Sequence, residues 1–280
     1  MKKSATKERI KLWRLPELGS VELLRAHYVT QNFSRHTHDG FAVGVIERGA
    51  LGFYYRGQNV VAPAGQVNLV NPDEAHTGHA ATEQGWTYRM FYIDAALLQD
   101  AASELAGRQA RMPFFTMGVL RDTTLAGAVH SLHAQLEAGH APLLEIQSRF
   151  LEVLTLLVAR HADAPPAQRP VGREPAAVSR AREYIDACYD ENISVEQLAS
   201  IANLSPYHFI RVFHRQLGMP PHAYLMQTRV RKAKALLEKG WRIVDAACDT
   251  GFVDQSHLTR HFKRTLGYTP GQYRNSVQDA

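Results

Sequence analysis

The chain has 280 residues, 45% of them apolar and 21% charged, and a formal net charge of +5. That length suits two domains, and the composition is that of a globular protein. No run of about 20 apolar residues is present and no apolar segment follows Met1-Lys2-Lys3, from which a cytoplasmic protein is expected.

Residues 1–20 are polar and charged and predict an N-terminal arm. Residues 21–93 alternate β-rich runs (Val21–Thr30, Phe41–Glu47, Leu51–Arg56, Gln66–Val70 and Trp86–Ile93) with turn clusters such as Arg48-Gly49 and Arg56-Gly57-Gln58-Asn59. That pattern predicts an antiparallel sandwich or barrel. Trp86, Tyr88 and Met90 fall on one face of the last strand, and Thr87, Arg89, Phe91 and Ile93 on the other.

Residues 94–161 turn helical. Asp122 is placed to cap a helix carrying Leu125, Val129, Leu132 and Leu136, and Pro142 to open another carrying Leu143, Ile146, Phe150, Leu154 and Leu157. One apolar stripe packs on the barrel; a surplus stripe would fit a partner subunit, predicting a homodimer. Four prolines and one glycine in residues 162–175 then predict an exposed linker.

Beyond the linker one pattern occurs twice, displaced by 49 positions: Arg211 and Arg260, Phe213 and Phe262, Gly218 and Gly267, Pro221 and Pro270, Tyr224 and Tyr273. Each copy reads as two short helices about a tight turn, the helix-turn-helix arrangement that sets a helix in the DNA major groove. Ser194-Val-Glu-Gln197 is a capping box, Asn203 ends that helix, and Ser205-Pro206 starts the next, which stops at Gly218. A spacer helix runs from about Pro221 to Lys239. The second copy covers Ile243–Thr250, turns at Gly251 and restarts at Asp254. Residues 173–280 hold 15 Lys and Arg against 11 Asp and Glu, while residues 1–172 hold 17 against 16, so the excess charge sits mainly on the repeat and suits double-stranded DNA. Cys188 and Cys248 have no metal-type spacing and are expected as buried, reduced thiols.

The run Ser194–Arg274, above all Gly251-Phe-Val-Asp-Gln-Ser-His-Leu-Thr-Arg-His-Phe-Lys-Arg-Thr-Leu-Gly-Tyr-Thr-Pro-Gly-Gln-Tyr-Arg274, resembles the DNA-binding domain of AraC/XylS-type transcription regulators. Leu258 stands where an aromatic residue is usual. The resemblance implies an α+β chain: a cupin-like barrel with flanking dimerisation helices (21–161), a linker (162–175) and an all-α double helix-turn-helix domain (176–280). It implies base contacts from Tyr207, Ile210 and Arg211, then Gln255, Ser256, His257 and Arg260, while Arg215, Lys263 and Arg264 suit phosphates. For Arg211 and Arg260, a phosphate contact or a plain surface position is the competing reading.

The front domain resembles the cupin-like effector domain of the same family through Arg35-His36-Thr-His38, Gly49, Gly57, Pro63-Ala-Gly65 and Asn71-Pro72-Asp-Glu-Ala-His76. The implied effector pocket comprises His36, His38, His76, Trp86 and Tyr88. Enzymatic cupins hold a metal with such histidines and a glutamate, but Ala42, Val43 and Gly44 stand where the glutamate belongs. The expectation is therefore a non-enzymatic regulator without a cofactor, controlled by a small molecule and activating transcription with RNA polymerase at the promoter. The competing readings are a metal-dependent cupin enzyme or metal sensor attached to a DNA-binding domain, and histidines that merely end strands.

Overall fold

The computed structural model describes residues 8–19, 21–139, 141–166 and 174–278. Among these, one compact unit holds the residues between 8 and 139 with 149–166, and a second holds 141–148 with 174–278. Residues 1–7 of the expected arm and 167–173 of the expected linker lie outside the described residues.

The first unit is built on β1 (Arg9–Leu15), β2 (Val21–Tyr28), β3 (Phe33–His36), β4 (Phe41–Tyr55), β5 (Gln58–Pro63), β6 (Val67–Val70), β7 (His76–Ala80), β8 (Trp86–Ile93) and β9 (Val119–Leu120). Their main path is β1-β2-β8-β4-β6-β9, with β5 and β7 on β4 and β3 on β7. The stretch expected as an arm thus supplies an edge strand: Arg9 to Leu15 pair antiparallel with His27 to Val21. Its alternating Ile10, Leu12 and basic residues hid a strand among charges.

β4 is one 15-residue strand where the sequence suggests two strands about an Arg48-Gly49 turn. Gly49 takes φ 69°, and the register to β8 shifts between Ile46 and Arg48, so the glycine bends the ladder as a bulge without ending it. A Cβ there would lie 2.0 Å from the Gly85 carbonyl oxygen. The bend lets the first half of β4 pair β8 and β6 and the second half pair β5 and β7, which wraps the strands into a barrel-like, unclosed sheet.

The inner face buries Leu24, Tyr28, Ile46, Phe53, Tyr55, Trp86, Tyr88 and Met90 in one cluster. The outer face of β8 is buried too, at Arg89, Phe91 and Ile93, because α2 (Thr123–Ala138) packs on β4 and β8. His133 of α2 stands edge-on to Phe91 at 5.1 Å between ring centres. Asp122 caps α2 as expected, accepting from the Leu125 amide at 3.0 Å. It also takes His161 Nε2, at 2.8 Å, from the end of α3 (Leu143–His161). The remaining helix, α1 (Ala95–Ala106), is capped by Asp94.

The second unit contains α4 (Pro175–Ala187), α5 (Val195–Ala202), α6 (Pro206–Leu217), α7 (Pro221–Glu238), α8 (Ile243–Asp249), α9 (Gln255–Leu266) and α10 (Pro270–Gln278). Ser194, Ser205 and Asp254 accept from the amides of Gln197, His208 and His257, the expected caps. The capping box is only half used, since the Gln197 side chain donates to the Tyr184 hydroxyl on α4. Asn203 is left-handed at φ 55°, as are Gly218 at 72° and Gly267 at 87°. Phe209, Phe213, Leu258 and Phe262, the inner residues of α6 and α9, are fully buried. Cys248 is exposed and Cys188 half-buried, contrary to the expected buried thiols: the short α8 turns Ala246 and Ala247 inward instead.

Candidate DNA-reading face and barrel cavity

The cap at Asp254 and the inward residues Leu258 and Phe262 fix the rotation of α9, and so its outer face. Gln255, Ser256, Arg260, Lys263 and Arg264 are exposed on that face and, with Thr259, line one open depression of about 590 Å³. Thr259 was not singled out from the sequence, although it lies one turn from Gln255 and Ser256. Three cations beside a glutamine, a serine and a threonine offer both phosphate contacts and donor–acceptor pairs for base edges.

His257 does not join that face. It is buried beside Phe252, with ring centres 5.3 Å apart, and 4.7 Å from the His261 ring. Burial, reinforced by the neighbouring His257, pushes His261 down to about 4, and burial also lowers His257. The sequence assigned His257 outward because it is polar; its aromatic neighbours turn it inward.

On α6, Arg215 is exposed and Tyr207 and Arg211 are half-buried, while Ile210 is 95% buried. Ile210 extends the apolar stripe of Phe209, Val212 and Phe213, where removal from water stabilises it more than one methyl contact to a base. Its burial corrects the expectation of an exposed side chain. His208, next to Tyr207, pairs with Glu174 at 2.8 Å.

Arg229 is a structural tie that sequence reasoning missed. This spacer-helix residue is buried, and its guanidinium donates to the carbonyls of Tyr189, Glu191 and Gly251 at 2.6, 2.8 and 2.6 Å. It thereby ties the entry to the first helix-turn-helix to the turn of the second. The only sequence signal is an arginine beside the apolar residues Leu225, Met226, Val230 and Ala233.

In the first unit, all five expected pocket residues line one cavity of about 60 Å³. Pairing of β3 with β7 sets His36 directly opposite His76. Their ring centres are 4.3 Å apart, and His38 stands 4.9 Å from each. Trp86 and Tyr88 enter from β8, both buried. Burial, with the charges of His76 and His36, pushes His38 down to about 4, and burial lowers His76. The cavity is also lined by Phe33, Asn68, Met90 and Tyr92. Tyr92, whose hydroxyl burial pushes up to about 12, continues the alternation of Trp86, Tyr88 and Met90 and was legible there. Asn68 is the lone polar residue in Val67–Val70. Asn68 Oδ1 and Trp86 Nε1 are buried without a hydrogen-bond partner.

A wider cleft of about 610 Å³ lies on the outer side of β1 and β2, bounded by Arg9, Lys11, Arg25, Arg48 and Glu137. Its cations are partly neutralised, since Lys11 and Arg25 pair with Glu137, and Arg25 also with Glu47.

Residues 18–154 match the model of the AraC-like ligand binding domain, and residues 198–276 match that of a helix-turn-helix domain. The chain is 31% identical over 238 residues to the uncharacterized HTH-type transcriptional regulator YbfI of Bacillus subtilis, a match covering 85% of this chain and 86% of that protein. It is 29% identical over 153 residues to the virulence regulon transcriptional activator VirF of Yersinia enterocolitica, covering 54% and 56% of the two chains. Among solved structures it is similar to a probable AraC family transcriptional regulator from Rhodopseudomonas palustris, with 27% identity, 36% of this chain and 97% of that chain covered, and a TM-score of 0.35. The chain belongs to the AraC family of transcription regulators, a ligand-binding domain being followed by a helix-turn-helix domain that binds DNA.

Proposed function

We propose that this regulator is an activator and not an enzyme, that it works as a cytoplasmic homodimer, and that a small polar molecule in the barrel cavity controls it. The observation that carries the reading is the cavity itself: three imidazoles, two phenols and an indole converge within the barrel, a mostly apolar enclosure with a few orienting polar groups. Occupancy would shift an equilibrium between arrangements of the chain, so that α6 and α9 engage adjacent major-groove segments and RNA polymerase is recruited at the promoter. Tyr207, Arg211, Gln255, Ser256 and Arg260 would meet base edges; Arg215, Lys263 and Arg264 would meet phosphates. The domain limits that serve this reading are 21–161 for effector binding and dimerisation, 162–175 for the linker and 176–280 for DNA. Sequencing the fragments retained by the purified full chain gives the operator. A reporter on that operator should then respond to an effector, and His76→Ala with Tyr88→Ala should abolish the response while DNA binding persists. An unchanged response in the double variant would sink the pocket assignment.

A further inference from the structure

We propose that His36, His38 and His76 hold one divalent transition-metal ion of the zinc class. It shares the cavity with the proposed effector but stands on the imidazoles alone. One nitrogen from each ring can be chosen so that all three lie within 4.8 Å of one another. Small side-chain rotations would bring such a set to the spacing of a four-coordinate site with metal–nitrogen bonds of about 2.0–2.1 Å.

The outer partners of two rings fit the same role. His36 Nδ1 lies 2.7 Å from the Ser34 carbonyl oxygen and His76 Nδ1 lies 3.0 Å from that of Glu74. A carbonyl only accepts, so both Nδ1 atoms carry hydrogen, and in the neutral ring the lone pair is on Nε2. Backbone carbonyls orient metal-bound imidazoles in this way, fixing the tautomer from behind. Strand pairing holds the two rings in place, since His36 and His76 are cross-strand partners. Two such lone pairs brought together beside the His38 ring repel unless a cation or donor hydrogens stand between them.

The donor set differs from three histidines and a glutamate. Gly44 has no room for a side chain, because a Cβ there would lie 1.9 Å from Met90 Sδ, and Ala42 reaches the cavity with a methyl only. The protein therefore supplies three neutral nitrogens, and a water or an oxygen donor completes the coordination. Asn68 Oδ1 and Trp86 Nε1, an acceptor and a donor that line the same cavity, are placed to bond such a group.

The test uses the full chain without a histidine tag, stripped with chelator and titrated with Co²⁺ and then Zn²⁺. We expect one Co²⁺ per chain at micromolar concentration, with the strong visible absorption of four-coordinate cobalt, and displacement by one Zn²⁺. His38→Gln and, separately, His36→Gln should weaken binding at least tenfold, while His79→Gln, an exposed histidine outside the cluster, should leave it unchanged. Circular dichroism identifies a variant that fails to fold, and the half-exposed His36 provides the second one. Binding only at millimolar metal, six-coordinate cobalt spectra, or stoichiometric binding retained in folded His36→Gln or His38→Gln would overturn the proposal.

Discussion

Arg229 Nη1 donates to the Gly251 carbonyl at 2.6 Å, joining the spacer helix to the turn of the second helix-turn-helix. The same guanidinium reaches Tyr189 and Glu191, so one side chain sets both copies of the repeat against the spacer. Burial, opposed by the charge of Asp190, lowers its pKa only to about 10, which leaves it cationic at neutral pH, with charge-assisted bonds to all three carbonyls. Arg229→Met removes the charge but strands those carbonyls, and should destabilise the second unit by about 3 kcal/mol or more. Denaturant unfolding of the full chain measures this; a loss within about 0.5 kcal/mol, typical of a surface change, would show that the arginine is not a tie.

Gly251 is constrained from the other side. It takes φ 75°, and a Cβ would lie 2.6 Å from the Asp190 carbonyl oxygen and 2.9 Å from the Arg229 guanidinium. Gly251→Ala should therefore destabilise by more than the roughly 1 kcal/mol of backbone strain alone, because the neighbours are backbone and a tied arginine. Combining it with Arg229→Met should give less than the sum of the two losses, since both act on one contact. Additive losses would show the two positions to be independent.

Ile210 and His257 provide a test of packing against reading. Ile210→Ala should cost about 2–5 kcal/mol of stability, as for a buried aliphatic side chain, without changing which bases are preferred. His257→Ala should likewise leave base preference intact. Selection of binding sites from random DNA by each variant decides the matter, and relaxed preference at any one base pair would return that residue to the reading face.

The repeat was legible because capping and packing repeat together: Ser205 and Asp254 start helices, Phe213 and Phe262 anchor them, and Gly218 and Gly267 stop them. Each is a local rule acting over a few residues. Ile210, His257 and Arg229 escaped because their places depend on what folds against them, which residue type alone does not tell. In the barrel, alternation found β8, while β1, β3, β5, β7 and β9 were missed; these are short, at an edge or rich in polar residues, and only pairing defines them. His36, His38 and His76 are brought together by strands distant in sequence, and the resemblance, more than spacing, pointed to them.

Acidification should weaken the first unit through His133, which is fully buried between Trp13 and Phe91. Burial, and then the charge of Arg89, pushes its pKa from 6.5 to about 4. Between those values the unfolded chain binds a proton that the folded chain refuses, so stability falls as pH drops through about 6.5 and levels off near 4. From pH 7 to pH 5 this single group should account for about 2 kcal/mol. Glu47 and Glu137, held below the usual carboxylate range against desolvation by hydrogen bonds and the charge of Arg89, add their losses only at lower pH. Unfolding measured at pH 7 and 5 should show a smaller drop in His133→Asn than in the parent; equal drops would exclude His133 as the source.

The proposed readers, α6 and α9, should act separately. Arg211 on α6 and Arg260 on α9 are equivalent in the 49-residue repeat, so each should serve its own groove segment. Two recognition helices on one spacer reach the same DNA face when their segments lie about one turn, ~34 Å, apart; another spacing would require bent DNA. Arg211→Ala or Arg260→Ala should weaken specific binding by about 1–3 kcal/mol and relax preference only within the segment it reads. Lys263→Ala should instead weaken all sequences alike and reduce the salt slope by about one, because a phosphate contact carries charge but no sequence. Footprinting and salt titration of the three variants separate these outcomes. Protection of a single groove segment, or an Arg260→Ala variant with unchanged preference, would make α9 a scaffold and leave α6 as the reader.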